Sequence, residues 1–350
     1  MSDPIATIGF VPREVFSTTQ RSLEALYERT AEPFNLVCID GASPPEVANY
    51  LRAAATEKGF TLLRTDRYVT PNEARNLAAR WALENTPDKP IVFVDNDVLV
   101  SPGWLGAMVD CANETEAWLV GPAYYEHLPE EHKLHMYGGV CRIEVDADGR
   151  RRYLEKHSLQ HQTADQIDEP LKRQKTELIE YHTVLVSLEV FRQTGLLDEG
   201  LLCHAEHGDL CLTVREAGGE VWLEPEARIT YAPPRRLSEA DAEFFFLRWS
   251  EAWMRANQQH MAEKWRLDTT DQDRGRGLQW VAEHRRLGLN SLRTLRKAIG
   301  KKLSRSVEKR VVAPLERISN RRRYPYKKYA NLPPVSVELV HQPGTARLVA

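Results

Sequence analysis

The sequence predicts an α/β protein, a mainly parallel sheet flanked by helices, with a helical extension on its C-terminal side. Three observations predict it. Short apolar runs alternate with stretches of helical period through the first hundred residues, which is the βαβ rhythm of a parallel sheet. Carboxylates and small polar residues stand directly after two of those runs, at the edge where open α/β sheets receive ligands. From Ser238 onward the strand-like runs give way to an aromatic and then a basic helical pattern.

Taken in order, residues 5–11 and 34–39 read as buried strands, and between them 20–29 carries Leu23, Leu26 and Tyr27 at helical spacing. A helix over 45–58 stops at Gly59, a strand follows over 60–64, and 73–84 is helical again. Residues 91–94 are the most strand-like run and end in Asp95-Asn96-Asp97. The polar segment 124–180, with Gly138-Gly139 and the turn signal Asp148-Gly149, predicts a loop-rich insertion. Order resumes with a strand at 183–186, helices over 188–194 and 209–217 closed by Gly195 and Gly218-Gly219, and a strand at 221–223. Ser238 and Asp241 have the spacing of a helix start, and one aromatic helix carrying Phe244, Phe245, Phe246, Trp249 and Trp253 is expected to run toward Trp265. Residues 268–277 read as a linker. The expected division is 1–235, 236–270 and 271–350.

Composition narrows the function classes. In 350 residues, 42% are apolar and 28% charged, which suits a folded chain of about two domains. The 47 Lys+Arg nearly balance the 50 Asp+Glu, so bulk charge draws the chain to neither nucleic acid nor an acidic surface. The longest apolar stretch, 91–100, is interrupted by Asp95 and Asp97 and falls short of the roughly 18 residues of a membrane span. The five cysteines are scattered without a CxxC pair, and the opening MSDPIATIGF lacks the pattern of a secretory leader; both lead to the expectation of a reducing, cytoplasmic compartment.

Four segments carry candidate chemistry. Asp95 and Asp97 repel at the end of a strand, and a Mg²⁺ or Mn²⁺ ion shared with phosphate oxygens would relieve them; a plain turn is the alternative. Asp40, heading Asp40-Gly41-Ala42-Ser43, either accepts a hydrogen bond from the N–H edge of a base or caps the next helix. Pro71 to Asn76 opens a helix whose amides, with Arg75 nearby, suit a phosphate or a sugar hydroxyl, though a surface helix start has the same pattern. His204-Ala205-Glu206-His207-Gly208-Asp209 gathers two imidazoles and two carboxylates between apolar flanks, the materials of a general base, a metal ligand or a sugar contact.

In sequence these segments form a larger pattern. Phe10-Val11-Pro12-Arg13-Glu14, Asp40-Gly41-Ala42-Ser43, Glu73-Ala74-Arg75-Asn76-Leu77-Ala78, Val92-Phe93-Val94-Asp95-Asn96-Asp97 and Pro102-Gly103-Trp104-Leu105 follow one another. Tyr137-Gly138-Gly139, Gly195-Leu196-Leu197-Asp198-Glu199 and Glu206 to Leu210 with Gly218-Gly219 continue it. This succession resembles the family 2 glycosyltransferases of the GT-A fold, over about residues 5–232. The resemblance implies a Rossmann-like nucleotide-binding sheet and a nucleoside-diphosphate sugar donor. It puts Pro12, Arg13, Asp40, Arg75, Asn76, Asp95 and Asn96 at the donor, Asp95 and Asp97 on a Mn²⁺ or Mg²⁺ ion, and Glu206, His207 and Asp209 at a glycan or lipid-linked hydroxyl acceptor. The chain departs from the family pattern twice: His207 stands where the usual catalytic Asp is found, and Tyr231 where a metal-binding His often is. His204 or His207 then become candidates to complete the metal shell, and a retaining enzyme or a binding module without turnover remain as rival readings.

The tail adds a separate signal. Leu292, Leu295, Ile299, Leu303, Val307, Val311, Leu315 and Ile318 recur every three or four positions among Lys, Arg and Ser, a basic amphipathic helix expected to bend near Pro314. It either docks on the protein or lies on an anionic membrane surface, and no nucleic-acid motif accompanies it.

Overall fold

The computed structural model describes residues 3–343 apart from Asp168 and Arg235. Strands β1 (Ala6–Val11), β2 (Phe34–Asp40), β3 (Thr61–Thr65) and β4 (Ile91–Asp95) run parallel in the order β3-β2-β1-β4. Every residue of β1 and β4 is buried, which is why both read as continuous rather than alternating apolar runs. Helices α1 (Thr19–Arg29), α2 (Pro45–Lys58) and α3 (Pro71–Asn85) make the crossovers. Gly59 ends α2 at φ 71°, a left-handed position that glycine takes at little cost. Thr70 and Glu73 form a reciprocal capping box with Pro71 inside it, so α3 starts two residues before the expected Glu73.

After β5 (Val98–Val100) and α4 (Trp104–Thr115), strand β6 (Leu119–Glu126) continues the sheet, with β7 (Leu134–Met136) pairing alongside it. The segment expected to be loop-rich instead contains a two-stranded sheet of its own, β8 (Gly139–Val145) and β9 (Arg151–His157), turning at Asp148-Gly149. Next come the short edge strand β10 (Gln174–Lys175), β11 (Thr183–Val186), α5 (Leu188–Thr194), α6 (Glu206–Glu216) and β12 (Val221–Tyr231). β11 lies antiparallel between β4 and β6, and β12 pairs parallel with β6. That antiparallel insertion places the start of β11 against the end of β4.

The C-terminal part departs most from the sequence reading. The single aromatic helix is two, α7 (Glu239–Arg248) and α8 (Glu251–Trp265), because Ser250 caps a new start. The expected linker is mostly helix, since Thr270 and Asp273 box the start of α9 (Asp271–Leu287). Trp249, Trp253, Met254, Val281 and Tyr324 share an apolar cluster with Leu202 and Cys203. The basic stretch forms α10 (Asn290–Val307), broken at Gly300 (φ 75°) rather than near Pro314. A π turn over Glu308–Val312 leads into α11 (Ala313–Arg323), and its wider turn makes room for the Pro314 ring. A short helix α12 (Tyr326–Tyr329) precedes β13 (Val337–His341), which returns to pair antiparallel with β3.

The tail helices are inside out. Ser304 and Asn320 are buried, and Glu308 and Glu316 pair with Arg286 and Arg285 of α9. Leu292 at the head of the apolar stripe is buried, but Leu303, Val311, Leu315 and Ile318 are 57%, 49%, 62% and 48% exposed, so the protein covers the start of the stripe and leaves the rest open. No helix among the described residues is long and apolar enough to cross a membrane.

Candidate functional site

Asp95 and Asp97 lie at the carboxyl edge of β4, and they meet opposite surroundings. Asp95 is saturated: Arg75 Nη2 donates to its Oδ1 at 2.5 Å and Arg13 Nη1 to its Oδ2 at 3.1 Å. Asp97 is 2% exposed, and neither carboxylate oxygen has a hydrogen-bond partner. Burial, reinforced by the neighbouring Asp95 charge, pushes the Asp97 carboxyl well above the usual carboxylate range. His182, at the start of β11, completes a group whose ligand atoms all lie within 4.8 Å of one another. Its Nδ1 is 3.7 Å from Asp95 Oδ2 and has no hydrogen-bond partner. Burial and the Arg13 charge hold His182 well below the usual imidazole range, in the neutral form that ligates metals.

The third donor atom at this edge therefore comes from neither Tyr231 nor His204. Tyr231 instead stacks on the His182 ring at 4.1 Å between centroids, a contact that fixes the imidazole plane. His204 packs against Trp280 at 4.8 Å in the helical extension. His182 was missed because its only local signal is a polar residue at the head of a short apolar run; antiparallel pairing brings it to Asp95, whose N–H bonds the His182 carbonyl at 3.0 Å.

The other donor-side residues divide into those at the edge and those behind it. Asn96 accepts from the Arg13 N–H at 3.0 Å and donates to the Val15 carbonyl at 2.7 Å, tying down the loop after β1. Pro12 packs over Gly41, where a Cβ would lie 2.9 Å from its ring. Asp40 accepts from the Ser43 N–H at 2.8 Å and pairs with Arg64, so it organises the turn before α2 while Pro44 holds the cap position. Two of the expected donor-side residues have their partners within the protein. Arg75 does not face an anion from the start of α3: it is fully buried, and besides Asp95 it donates to the carbonyls of Tyr181 at 2.8 Å and Pro71 at 3.1 Å. Asn76 turns the other way and brackets Leu197, accepting from its N–H at 2.9 Å and donating to its carbonyl at 2.8 Å.

The acceptor-side trio also separates. Glu206 and His207 head α6, and Asp209 accepts from Lys264 Nζ at 2.8 Å and Trp265 Nε1 at 2.7 Å, bonds that brace α6 against α8. Glu206 is buried 3.5 Å from Arg248 Nη2. Burial would raise its carboxyl, but Arg248 and His207 outweigh burial and hold it below its usual value. Arg248 ends α7 as its one cation, unnoticed in the sequence; its Nε and Nη1 are buried without hydrogen-bond partners, between Glu14 and Glu206.

His207 stands among histidines and carboxylates drawn from three strands. Its Nε2 is 3.4 Å from Glu155 Oε1, and its Nδ1 is 3.7 Å from Glu180 Oε2. His157 and His135 stand beside the same carboxylates, and His135 touches His182 at 5.3 Å between ring centroids, so this histidine group adjoins the sheet-edge site. Burial would lower His207, but Glu180 and Glu155 outweigh it and push it up to about 10. A signal was available: eight of the eleven histidines fall between residues 127 and 207.

Residues 13–169, which hold Arg13, Asp40, Asp95 and Asp97, match the model of the glycosyl transferase family 2. The matched segment covers a little under half of the chain. The family 2 match ends before His182, Glu206 and Arg248, which complete the arrangement from later elements. Among solved structures the chain is similar to GalNAc-T7 with UDP, GalNAc and Mn²⁺, at 14% identity and a TM-score of 0.49 over 83% of this chain. The chain spans 58% of the length of that structure. It is also similar to S. aureus TarS 1–349 in complex with UDP-GlcNAc, at 11% identity and a TM-score of 0.45, over 86% of this chain and 77% of that one. No curated protein matches the chain.

Proposed function

We propose that the chain is a metal-assisted glycosyltransferase that moves a sugar from a nucleoside diphosphate to a hydroxyl acceptor, a glycan or a lipid-linked one, in envelope polysaccharide or glycolipid assembly. Asp97 carries the reading: a buried carboxylate with two unpartnered oxygens is costly unless a cation takes them. Asp95, Asp97 and a neutral His182 fit a divalent ion, and a mixed oxygen and imidazole set suits Mn²⁺ at least as well as Mg²⁺. When bound, the ion would offset the charge that develops on the departing diphosphate.

The chain's own groups supply the rest. Arg13 keeps positive charge at the edge beside Asp95, and the unpartnered nitrogens of Arg248 are donors suited to phosphate oxygens. Asp40, held by Arg64 and Ser43, retains lone pairs for the N–H edge of a base. Because the carboxylates around His207 hold a proton on it in the metal-free chain, the ionised Glu206 is the better group to accept the proton of an acceptor hydroxyl. On this reading residues 1–235 are the catalytic domain, 236–270 the aromatic extension and 271–350 a basic region that returns to the sheet through β13.

The outward stripe of α10 and α11 supports a peripheral place on the inner face of the plasma membrane. Leu303, Val311, Leu315 and Ile318 stand exposed, with the basic residues Arg310, Arg317 and Arg322 exposed along the same stretch of helix. Each Lys or Arg near an anionic surface contributes about 1 kcal/mol, and salt screens it. Co-sedimentation with phosphatidylglycerol vesicles should therefore fall steeply with salt and drop with Leu315→Glu; equal partitioning of that variant removes the membrane from the proposal.

The test of the activity is a panel of labelled nucleotide sugars, with and without Mn²⁺, followed by thermal shift and by transfer. A matching donor should raise the Tm only with the metal, and label should leave the nucleotide. Binding without turnover on every acceptor would make the chain a binding module, and no donor binding would end the reading.

A further inference from the structure

We infer that Glu155, His157 and His207 form a second metal site, built for Zn²⁺ or a similar borderline transition ion and separate from the sheet-edge carboxylates. One ligand atom from each of the three residues lies within 4.8 Å of the others, and the shortest contacts point to Glu155 Oε1, His157 Nε2 and His207 Nε2. Glu155 Oε1 is 3.4 Å from each imidazole nitrogen. That spacing is too long for a good hydrogen bond, and it is the edge of a tetrahedron whose centre lies about 2.1 Å from each corner, which comes to about 3.4 Å. Both Nε2 atoms are buried without a hydrogen-bond partner, an arrangement that wastes polar groups unless something else takes them.

The surroundings aim these atoms. Tyr153 donates its hydroxyl to Glu155 Oε2 at 2.5 Å, which leaves Oε1 free to turn inward. The Gln160 amide lies 3.4 Å from His157 Nδ1, and Glu180 Oε2 lies 3.7 Å from His207 Nδ1, so a polar group faces the nitrogen of each ring that does not ligate. Alternation along β9 puts Tyr153, Glu155 and His157 on one face. Gly208 lets that face approach α6, since a Cβ there would lie 1.9 Å from the Tyr153 hydroxyl. The hairpin, the glycine and the Glu206-His207 turn thus converge on one point from distant parts of the chain.

Three protein ligands leave a fourth position open, as in Zn²⁺ sites that take water or a substrate oxygen. The ligand side chains keep between 11% and 18% of their exposure, so solvent reaches the site. If the transferase reading holds, the oxygen taken there is water or an acceptor hydroxyl. His157 Nε2 also lies 3.6 Å from Glu180 Oε1, which together with His135 forms a competing set. Glu155 is favoured because its second oxygen is already held, whereas the Glu180 carboxylate is divided between His135, His157 and His207.

The full chain, stripped by chelation, is titrated with Co²⁺, whose tetrahedral complexes absorb visible light far more strongly than octahedral ones, and then with Zn²⁺. We expect one equivalent of the tetrahedral band, displaced by Zn²⁺ at micromolar concentration or below. The band should persist in Asp97→Asn and His135→Ala and disappear in His157→Ala and in the nearly isosteric Glu155→Gln, with circular dichroism unchanged. Absence of the band in the wild-type chain, its survival in Glu155→Gln, or its loss only with His135→Ala would overturn the assignment. No donor sugar enters the assay, so failure here is distinct from failure of the transferase reading, which would show as loss of donor binding.

Discussion

At the sheet edge two guanidiniums, Arg13 and Arg75, converge on Asp95, while Asp97 two residues on meets none; in the histidine group three imidazoles stand among three carboxylates, Glu126, Glu155 and Glu180. The first region has one fully balanced carboxylate and one left bare. The second is balanced only while its histidines carry protons, or while a cation replaces them. The contrast separates structural charge from available charge: Arg75 is spent on holding the sheet edge in place through Asp95, whereas Asp97 and the histidine nitrogens are still open to a ligand.

The largest break in this comparison should come from the pH response of the histidine group. His207 is raised to about 10 and His135 to about 9 in the folded chain, above an unfolded value near 6.5, so their contribution is fully present below that value and is lost as pH rises toward 9 and 10. In metal-free protein, unfolding stability should fall by an amount on the order of 6 kcal/mol between pH 7 and 10, each shifted unit being worth about 1.4 kcal/mol and His207 carrying the larger share. His207→Gln should flatten most of that slope. The paired carboxylates Glu155 and Glu180 are depressed and act in the opposite direction, losing their contribution as pH falls below about 4.5.

Next in size is Arg75→Ala. Removing Arg75 leaves the buried Asp95 with Arg13 as its remaining cation and strips the Tyr181 and Pro71 carbonyls of a donor, and the expected loss is about 3 kcal/mol in denaturant unfolding. A loss below about 1 kcal/mol, with donor affinity reduced instead, would mean that Arg75 faces the ligand after all.

Asp97→Asn sharpens the comparison from the other side. Metal-dependent donor affinity should drop about 100-fold, or about 2.7 kcal/mol, while metal-free stability rises, because a buried unpaired charge is removed. Calorimetric donor titration and denaturant unfolding read the two effects, and a stability loss would show that Asp97 has a partner. The smallest effect is expected from His182→Asn, about tenfold in metal affinity, since two carboxylates remain. An unchanged affinity would restrict the ion to Asp95 and Asp97.

The sequence by itself determined the parallel half of the sheet, because buried strands and capped helices are local. The runs of β1 and β4, the Gly59 stop and the Gly195 stop are all written in neighbouring residues, and so is the position of Asp95 and Asp97 at a strand end. Side-chain direction was legible only where the backbone alone sets it. Tertiary structure decided that Arg75 turns inward to Asp95, that Asp209 braces α8, and that antiparallel β11 delivers His182 to the edge. It also decided that the β8–β9 hairpin docks on Gly208 and so collects Glu155, His157 and His207. Such pairings join residues far apart in the chain, and they follow from which strand lies beside which and from how charge is shared in an interior with little water, neither of which periodicity can carry.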